Sequence, residues 1–256
     1  MITKVVIPAA GLGTRFRPAT TTIPKELIPV LNVPALDYIA AEAMNSGMSE
    51  LIIINSARKI MLREWISKFN NHHKAKNIWA IEVIQEAPLG LGHAILQAKD
   101  IVKDEPFAVM LPDDITFATP PVLQQMIQLY DNLQGSILCV KNIPSSLVES
   151  YGVIEHDNSN KVIGIVEKPK PEDAPSNLCA IGRYSLQPEI FQYLSDAHPS
   201  INNEIQLTDS INNMLKQNTC YKYHIEGHHF DIGTPKGIKS ASLFASQNPK
   251  LIPSTD

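Results

Sequence analysis

The residues best able to do chemistry follow the first apolar run: Ala9-Ala10-Gly11-Leu12-Gly13-Thr14-Arg15-Phe16, then Pro24-Lys25-Glu26. Alanine and glycine let a backbone approach a ligand closely, and successive exposed N–H groups form a nest for phosphate oxygens. Arg15 and Lys25 stand ten residues apart on a segment too rich in proline to be one helix. Two fixed cations at such a nest suit a polyphosphate whose charge builds up as part of it leaves. A dinucleotide fingerprint needs a third small residue after the second glycine, where this chain has Phe16 and Arg17. No Gly-Lys-Ser/Thr follows, so the loop is not a Walker loop. Alone, Gly-x-Gly also fits a plain turn.

Two carboxylates come next. Asp113 follows the fourth apolar run, at the sheet edge where α/β proteins bind ligands, and Asp231 precedes Gly233 after a later run. Brought together, they could bind Mg²⁺ through oxygen while phosphates fill other positions. Asp114 reads as turn chemistry. His228 and His229 lack any partner spacing for zinc and read as structural. Cys139, Cys179 and Cys220 are odd in number and widely spaced, which argues for reduced thiols in the core.

The elements that must position these groups alternate. Residues 4–10, 51–55, 81–85, 107–111 and 136–140 read as strands, and residues 35–46, 59–69, 92–101 and 121–133 as helices. The near-continuous aliphatic content suits parallel strands covered on both faces. The second half is richer in short strands, at 151–155, 162–167, 180–185 and 221–226, with helices at 190–194 and 205–216. The expected fold is α/β: a Rossmann-like, mixed but mostly parallel central sheet flanked by helices, with a smaller strand-rich portion. We expect one domain over 1–256. Its nucleotide-type front spans about 1–140 and its back about 141–245, and the polar tail beyond frays.

The 256 residues are 44% hydrophobic and 19% charged, which excludes a disordered chain. The net charge of −4 argues against a nucleic-acid partner. The N-terminus lacks a signal-peptide pattern, and no stretch approaches the roughly 18 apolar residues of a membrane span. The expectation is a cytoplasmic protein without a membrane partner.

The segment AAGLGTRFRPATTTIPKELIPVLNVPALDY resembles the opening of the bacterial UTP–glucose-1-phosphate uridylyltransferases, within the sugar-phosphate nucleotidyltransferase superfamily. The likeness continues in order through Gly90-Leu91-Gly92-His93-Ala94, Leu111-Pro112-Asp113-Asp114, Tyr151-Gly152-Val153, Val166-Glu167-Lys168-Pro169-Lys170, Ala174-Pro175-Ser176-Asn177-Leu178, Glu204-Ile205-Gln206-Leu207-Thr208-Asp209 and Asp231-Ile232-Gly233. Any one match is weak, whereas the ordered set is specific.

The resemblance implies attack of glucose 1-phosphate on the α-phosphorus of UTP. The nucleophile is already ionised, so no general base is needed. It implies Arg15 and Lys25 on the triphosphate and departing pyrophosphate. Ala9, Ala10, Gly11, Gly13 and Glu26 would lie about the nucleotide, and Gln85 and Gly90 at the pyrimidine. Gly152, Glu167, Lys168 and Ile181 would serve the sugar phosphate, and Asp113 and Asp231 the magnesium. Glu204 and Asp209 would support the sugar pocket, and His93 would pack rather than react.

Three departures stand out. The stretch between residues 67 and 81 is short for the family, the C-terminal extension of many members is missing, and Arg17, Thr21 and Thr22 replace more usual residues. The first two regions commonly help subunits associate, so homo-oligomerisation stays open. The same loop serves thymidylyl-, cytidylyl- and guanylyltransferases, and other hexose 1-phosphates remain open. A catalytically silent regulatory homologue is the rival of another class. It would be expected to lose Arg15, Lys25, Asp113, Lys168 or Asp231, all of which are present.

Overall fold

β-Branched and aliphatic side chains fill the runs that form strands, and the central runs Lys4–Pro8 and Glu50–Asn55 are almost wholly buried. In the computed structural model, which describes residues 1–254, the strands Lys4–Pro8, Glu50–Asn55 and Trp79–Ile84 pair in parallel in that order. Lys4 faces Glu50, which faces Trp79 in turn. Leu51, Ile52, Ile53 and Ile54 are each 0% exposed, and burial of each contributes roughly 1.5–3 kcal/mol. The helices Ala35–Asn45 and Ile60–His73 form the crossovers. The second runs past its expected end at residue 69. Trp65, Phe69 and His73 continue a helical-spacing ring stack, with centroids 5.0 and 4.4 Å apart.

The chain forms two compact units, each built from separated stretches. The first comprises Thr3–Glu86, Met110–Gln125 and the chain from Glu226 onward. Besides the parallel strands it holds an antiparallel pair, Asp114–Phe117 with His228–Asp231. A helix unforeseen in the sequence, Pro235–Gln247, follows. Thr234 caps it by accepting a hydrogen bond from the Gly237 N–H at 3.1 Å, and Pro235 occupies its first turn. Phe244 packs against Phe117 and Phe230, with centroids 5.1 and 5.2 Å apart. A 3-10 turn at Pro249–Leu251 follows, so helical structure reaches Leu251 in the tail expected to fray. Residues 255 and 256 lie outside the described residues.

The second unit comprises Met1–Ile2, Ala87–Val109 and Met126–Ile225. Its long strand Leu178–Leu186 is buried throughout. It pairs antiparallel with Ser136–Asn142 and, through Cys179 opposite Val153, with Gly152–His156. Val162–Glu167 pairs antiparallel with Gly152–His156, and Cys220–His224 pairs parallel with Ser136–Asn142. The parallel strands of the first unit and the mostly antiparallel strands of the second bear out the expected mixed α/β class.

Candidate active site

In the first unit the strand ends at Pro8, Ala9 and Ala10 are buried, and Gly11 is exposed. Gly13 adopts φ +63°, and a Cβ there would lie 3.1 Å from Thr20 Cγ2 and 3.2 Å from Lys25 Cβ. Only glycine lets the loop fold back this closely. Thr20 Oγ1 fixes the fold by donating to the Gly13 carbonyl at 2.7 Å. The fold-back delivers Lys25, at the start of the 3-10 turn Lys25–Leu27, to Asp113, with Nζ 2.5 Å from Oδ2. Burial pulls the Lys25 pKa down, but Asp113 and then Glu26 outweigh it, and the pKa is raised. The ammonium therefore stays charged.

Asp113 stands three residues past the strand Phe107–Met110. Asp231 ends the strand His228–Asp231 directly opposite Asp114. Side chains two apart share a strand face, so His229 lies on the side of Asp231. Its Nε2 bonds Asp114 Oδ1 at 2.6 Å. Asp114 is thus a strand residue in a buried pair, a correction to its reading as turn chemistry. Burial and then Asp114 push the Asp231 carboxyl upward, partly opposed by the Gly233 N–H. That N–H donates to Asp231 Oδ1 at 2.8 Å.

Gly233 marks where these groups meet. A Cβ there would lie 2.9 Å from Asp231 Oδ1, 3.4 Å from Asp113 Oδ2 and 3.6 Å from Arg15 Nη1. Residues near 15, 25, 113 and 231 thus converge. Among the described residues no group of three or more His, Cys, Asp or Glu forms a metal cage. Asp113 and Asp231 are oxygen donors whose charges repel, a pair that fits a hard divalent cation completing its shell with phosphate and water.

Glu26, expected beside the nucleotide, sits on the same 3-10 turn as Lys25. It is 1% exposed, and Lys59 Nζ takes both its carboxylate oxygens at 2.9 Å. The same ammonium donates to the Ala9 carbonyl at 2.6 Å. Burial pushes Glu26 up and Lys59 down, each shift partly opposed by the partner's charge. Gln85 is buried just past the strand Trp79–Ile84, and its N–H donates to the Asn55 carbonyl at 2.8 Å.

In the second unit Gly90 has φ +98°, and a Cβ there would lie 2.7 Å from Glu204 Cβ and 2.9 Å from the Ile205 carbonyl. The Ile205 N–H donates to the Leu89 carbonyl at 2.7 Å, holding the two segments together. A Cβ on Gly152 would meet Ile165 Cδ1 at 3.0 Å and Thr208 Cγ2 at 3.1 Å. These contacts within the protein already favour glycine there. Ile181 is buried in Leu178–Leu186.

Glu167 ends a strand, and Lys168 follows with φ +46°. This left-handed turn breaks the strand alternation, so both side chains meet, with Nζ 3.2 Å from Glu167 Oε1. The Lys168 side chain is 39% exposed, so the pair contributes at most about 1 kcal/mol and leaves the cation accessible. Glu204 accepts from Gln206 Nε2 at 3.2 Å, Asp209 from Ser200 Oγ at 2.5 Å, and Gln97 Nε2 lies 3.3 Å from His93 Nε2.

Sequence reasoning missed Lys59 and the His229–Asp114 pair. The spacing of His229 and Asp231 on one strand could have suggested the second, whereas a lone lysine at a helix start carries no signal. The large cavity of the first unit, about 800 Å³ beside Trp65, Phe69 and Phe117, is lined by none of the predicted site residues.

A parallel α/β unit with a phosphate-type loop and a cation–carboxylate cluster beyond its strands defines a nucleotide-handling class. A family model described as nucleotidyl transferase matches residues 4–248, and the chain belongs to that family. Within it, the UTP–glucose-1-phosphate uridylyltransferase of Staphylococcus epidermidis is 38% identical over 272 residues, covering 98% of this chain and 94% of the relative. The crystal structure of a UDP-glucose pyrophosphorylase complexed with UDP-glucose superposes with a TM-score of 0.89 at 38% identity, covering 97% of this chain and all of the other. The UTP-bound enzyme from Acinetobacter baumannii gives 0.85 at 34%, covering 98% and 96%.

Proposed function

We propose that this protein transfers a uridylyl group from UTP to glucose 1-phosphate, giving UDP-glucose and pyrophosphate. The observation that carries the chemistry is the convergence of Arg15, Asp113 and Asp231 about Gly233, with Lys25 bonded to Asp113. The close relatives named for this reaction support the choice of substrates.

A phosphate oxygen of glucose 1-phosphate forms a bond to the α-phosphorus of UTP. The bond from that phosphorus to the β-phosphate oxygen breaks, and pyrophosphate leaves with the electron pair. Arg15 and Lys25 neutralise the phosphates and the leaving group. Arg15 offers a planar fork and Lys25 a point charge. Ala9, Ala10, Gly11 and Gly13 present backbone to the nucleotide. Gln85, whose amide both donates and accepts, reads the uracil edge. Lys168 pairs the sugar phosphate and Glu167 accepts from sugar hydroxyls, beside Gly152 and Ile181. Asp113 and Asp231 would hold Mg²⁺, which when bound supplies positive charge to the phosphates. No residue need move a proton, because the nucleophile is already ionised. The three buried free thiols support a reducing, cytoplasmic setting.

The test is pyrophosphate release with glucose 1-phosphate and magnesium, comparing UTP, dTTP, CTP, ATP and GTP. Release with UTP far above the others is expected. Equal release with dTTP would remove the uridylyl assignment, and no release with any nucleotide would remove the reaction.

A further inference from the structure

Lys59 stands outside every motif that points to the reaction, yet it touches the nucleotide loop. It immediately precedes the helix Ile60–His73, and its side chain is only 11% exposed. An ammonium has three protons, and here all three have acceptors: two oxygens of Glu26 at 2.9 Å and the Ala9 carbonyl at 2.6 Å. Saturated in this way, it has no donor left for a phosphate. Its partners are telling. Ala9 opens the glycine loop at the end of the first strand, and Glu26 neighbours Lys25 on one 3-10 turn.

The bracing extends across the strand ends. Asn55, fully buried, donates from Nδ2 to the Lys59 carbonyl at 3.3 Å and to Glu82 Oε1 at 2.8 Å. The Asn55 carbonyl accepts the Gln85 N–H, and the Ala9 N–H bonds the Ile54 carbonyl, both at 2.8 Å. The loop, the Lys25 turn and the Gln85 strand end are thus tied through one ammonium and one amide.

We propose that Lys59 is a positioning residue for the nucleotide substrate, holding the Ala9 end of the glycine loop and the Lys25 turn in register. This rests on the nucleotidyl-transfer reading above. A buried ion pair is a weak source of stability, because desolvation offsets its attraction and apolar replacement of both partners is often neutral. The bond to Ala9 has no such replacement. Its value lies in geometry, where small misplacements of a binding group cost large factors in rate.

The test uses the double variant Lys59→Met/Glu26→Met, which removes both charges and leaves none buried alone. Melting, UTP titration calorimetry and steady-state kinetics are compared with the wild type. We expect melting within a few degrees of wild type and a rise in both the UTP Kd and the UTP KM of about tenfold or more. The KM for glucose 1-phosphate at saturating UTP should stay within about twofold. Unchanged UTP binding, or equal losses for both substrates, would overturn the proposal. So would a fall in melting temperature above about 10 °C, which would make Lys59 a stability element. Wild-type protein that binds UTP without transferring it would sink the reaction assignment while leaving the Lys59 comparison readable by calorimetry.

Discussion

Replacing Lys25 by methionine removes one charge while keeping most of the side-chain volume. The ammonium lies 2.5 Å from Asp113 Oδ2, with side chains 18% and 31% exposed. An ion pair that water still reaches contributes at most about 1 kcal/mol to folding. For a chain of this length that lowers the melting temperature by roughly 2–4 °C. The catalytic loss is larger. A preorganised charge aimed at a developing anion contributes about 3–4 kcal/mol, or 10²–10³ in kcat. The two magnitudes separate the roles, because stability barely moves while turnover falls by orders of magnitude. Coupled pyrophosphate release under saturating UTP, glucose 1-phosphate and magnesium measures the second, and thermal melts measure the first. A kcat within about threefold of wild type would refute the argument for Lys25. So would melting so depressed that unfolding accounts for the lost activity.

Gly233→Ala places a Cβ 2.9 Å from Asp231 Oδ1, so that carboxylate must shift. The magnesium concentration for half-maximal rate should rise about tenfold, and an unchanged magnesium titration would contradict the role of this carboxylate pair. Lys168→Ala should raise the KM for glucose 1-phosphate by about tenfold or more while leaving the UTP KM within about twofold, and equal shifts would count against the sugar-phosphate assignment. Burial pushes the Cys179 thiol from 9.0 to about 11 and Cys220 to about 12. Both folded values lie above the unfolded one, so the stability tied to the neutral thiols is full below pH 9 and is lost as pH rises through 11 and 12. Native protein at pH 8 should therefore resist a disulfide reagent until it unfolds, and rapid reaction of Cys179 or Cys220 without unfolding would show the burial to be wrong.

The parts legible in the sequence are those that repeat a local physical rule. Aliphatic runs at Glu50–Asn55 and Trp79–Ile84 sit between helical patterns, and parallel strands follow. The proline-rich stretch after Gly13 announces a break from helix, and the chain there folds back so that Thr20 and Lys25 meet Gly13. What was not legible depends on register or tertiary contact. Asp114 looks like half of a turn until His228–Asp231 pairs beside it and brings His229 within 2.6 Å. The helix Pro235–Gln247 buries little beyond Ala241 and Ala245, so its apolar stripe is too thin to read. The partner of Glu26 was not legible either, because a 3-10 turn sends neighbouring side chains to different partners, Asp113 for Lys25 and Lys59 for Glu26. Nothing in the sequence around Gly152 announces that Ile165 and Thr208 crowd the place of its Cβ.

The central claim is a direct transfer in which a sugar-phosphate oxygen attacks the α-phosphorus of UTP. Its most direct test is ³¹P NMR of the products from UTP and glucose 1-phosphate carrying ¹⁸O in its non-bridging phosphate oxygens. The account predicts UDP-glucose with ¹⁸O in the bridge between its two phosphorus atoms and pyrophosphate free of label. Label missing from that bridge, label in the released pyrophosphate, or unchanged starting materials would contradict it.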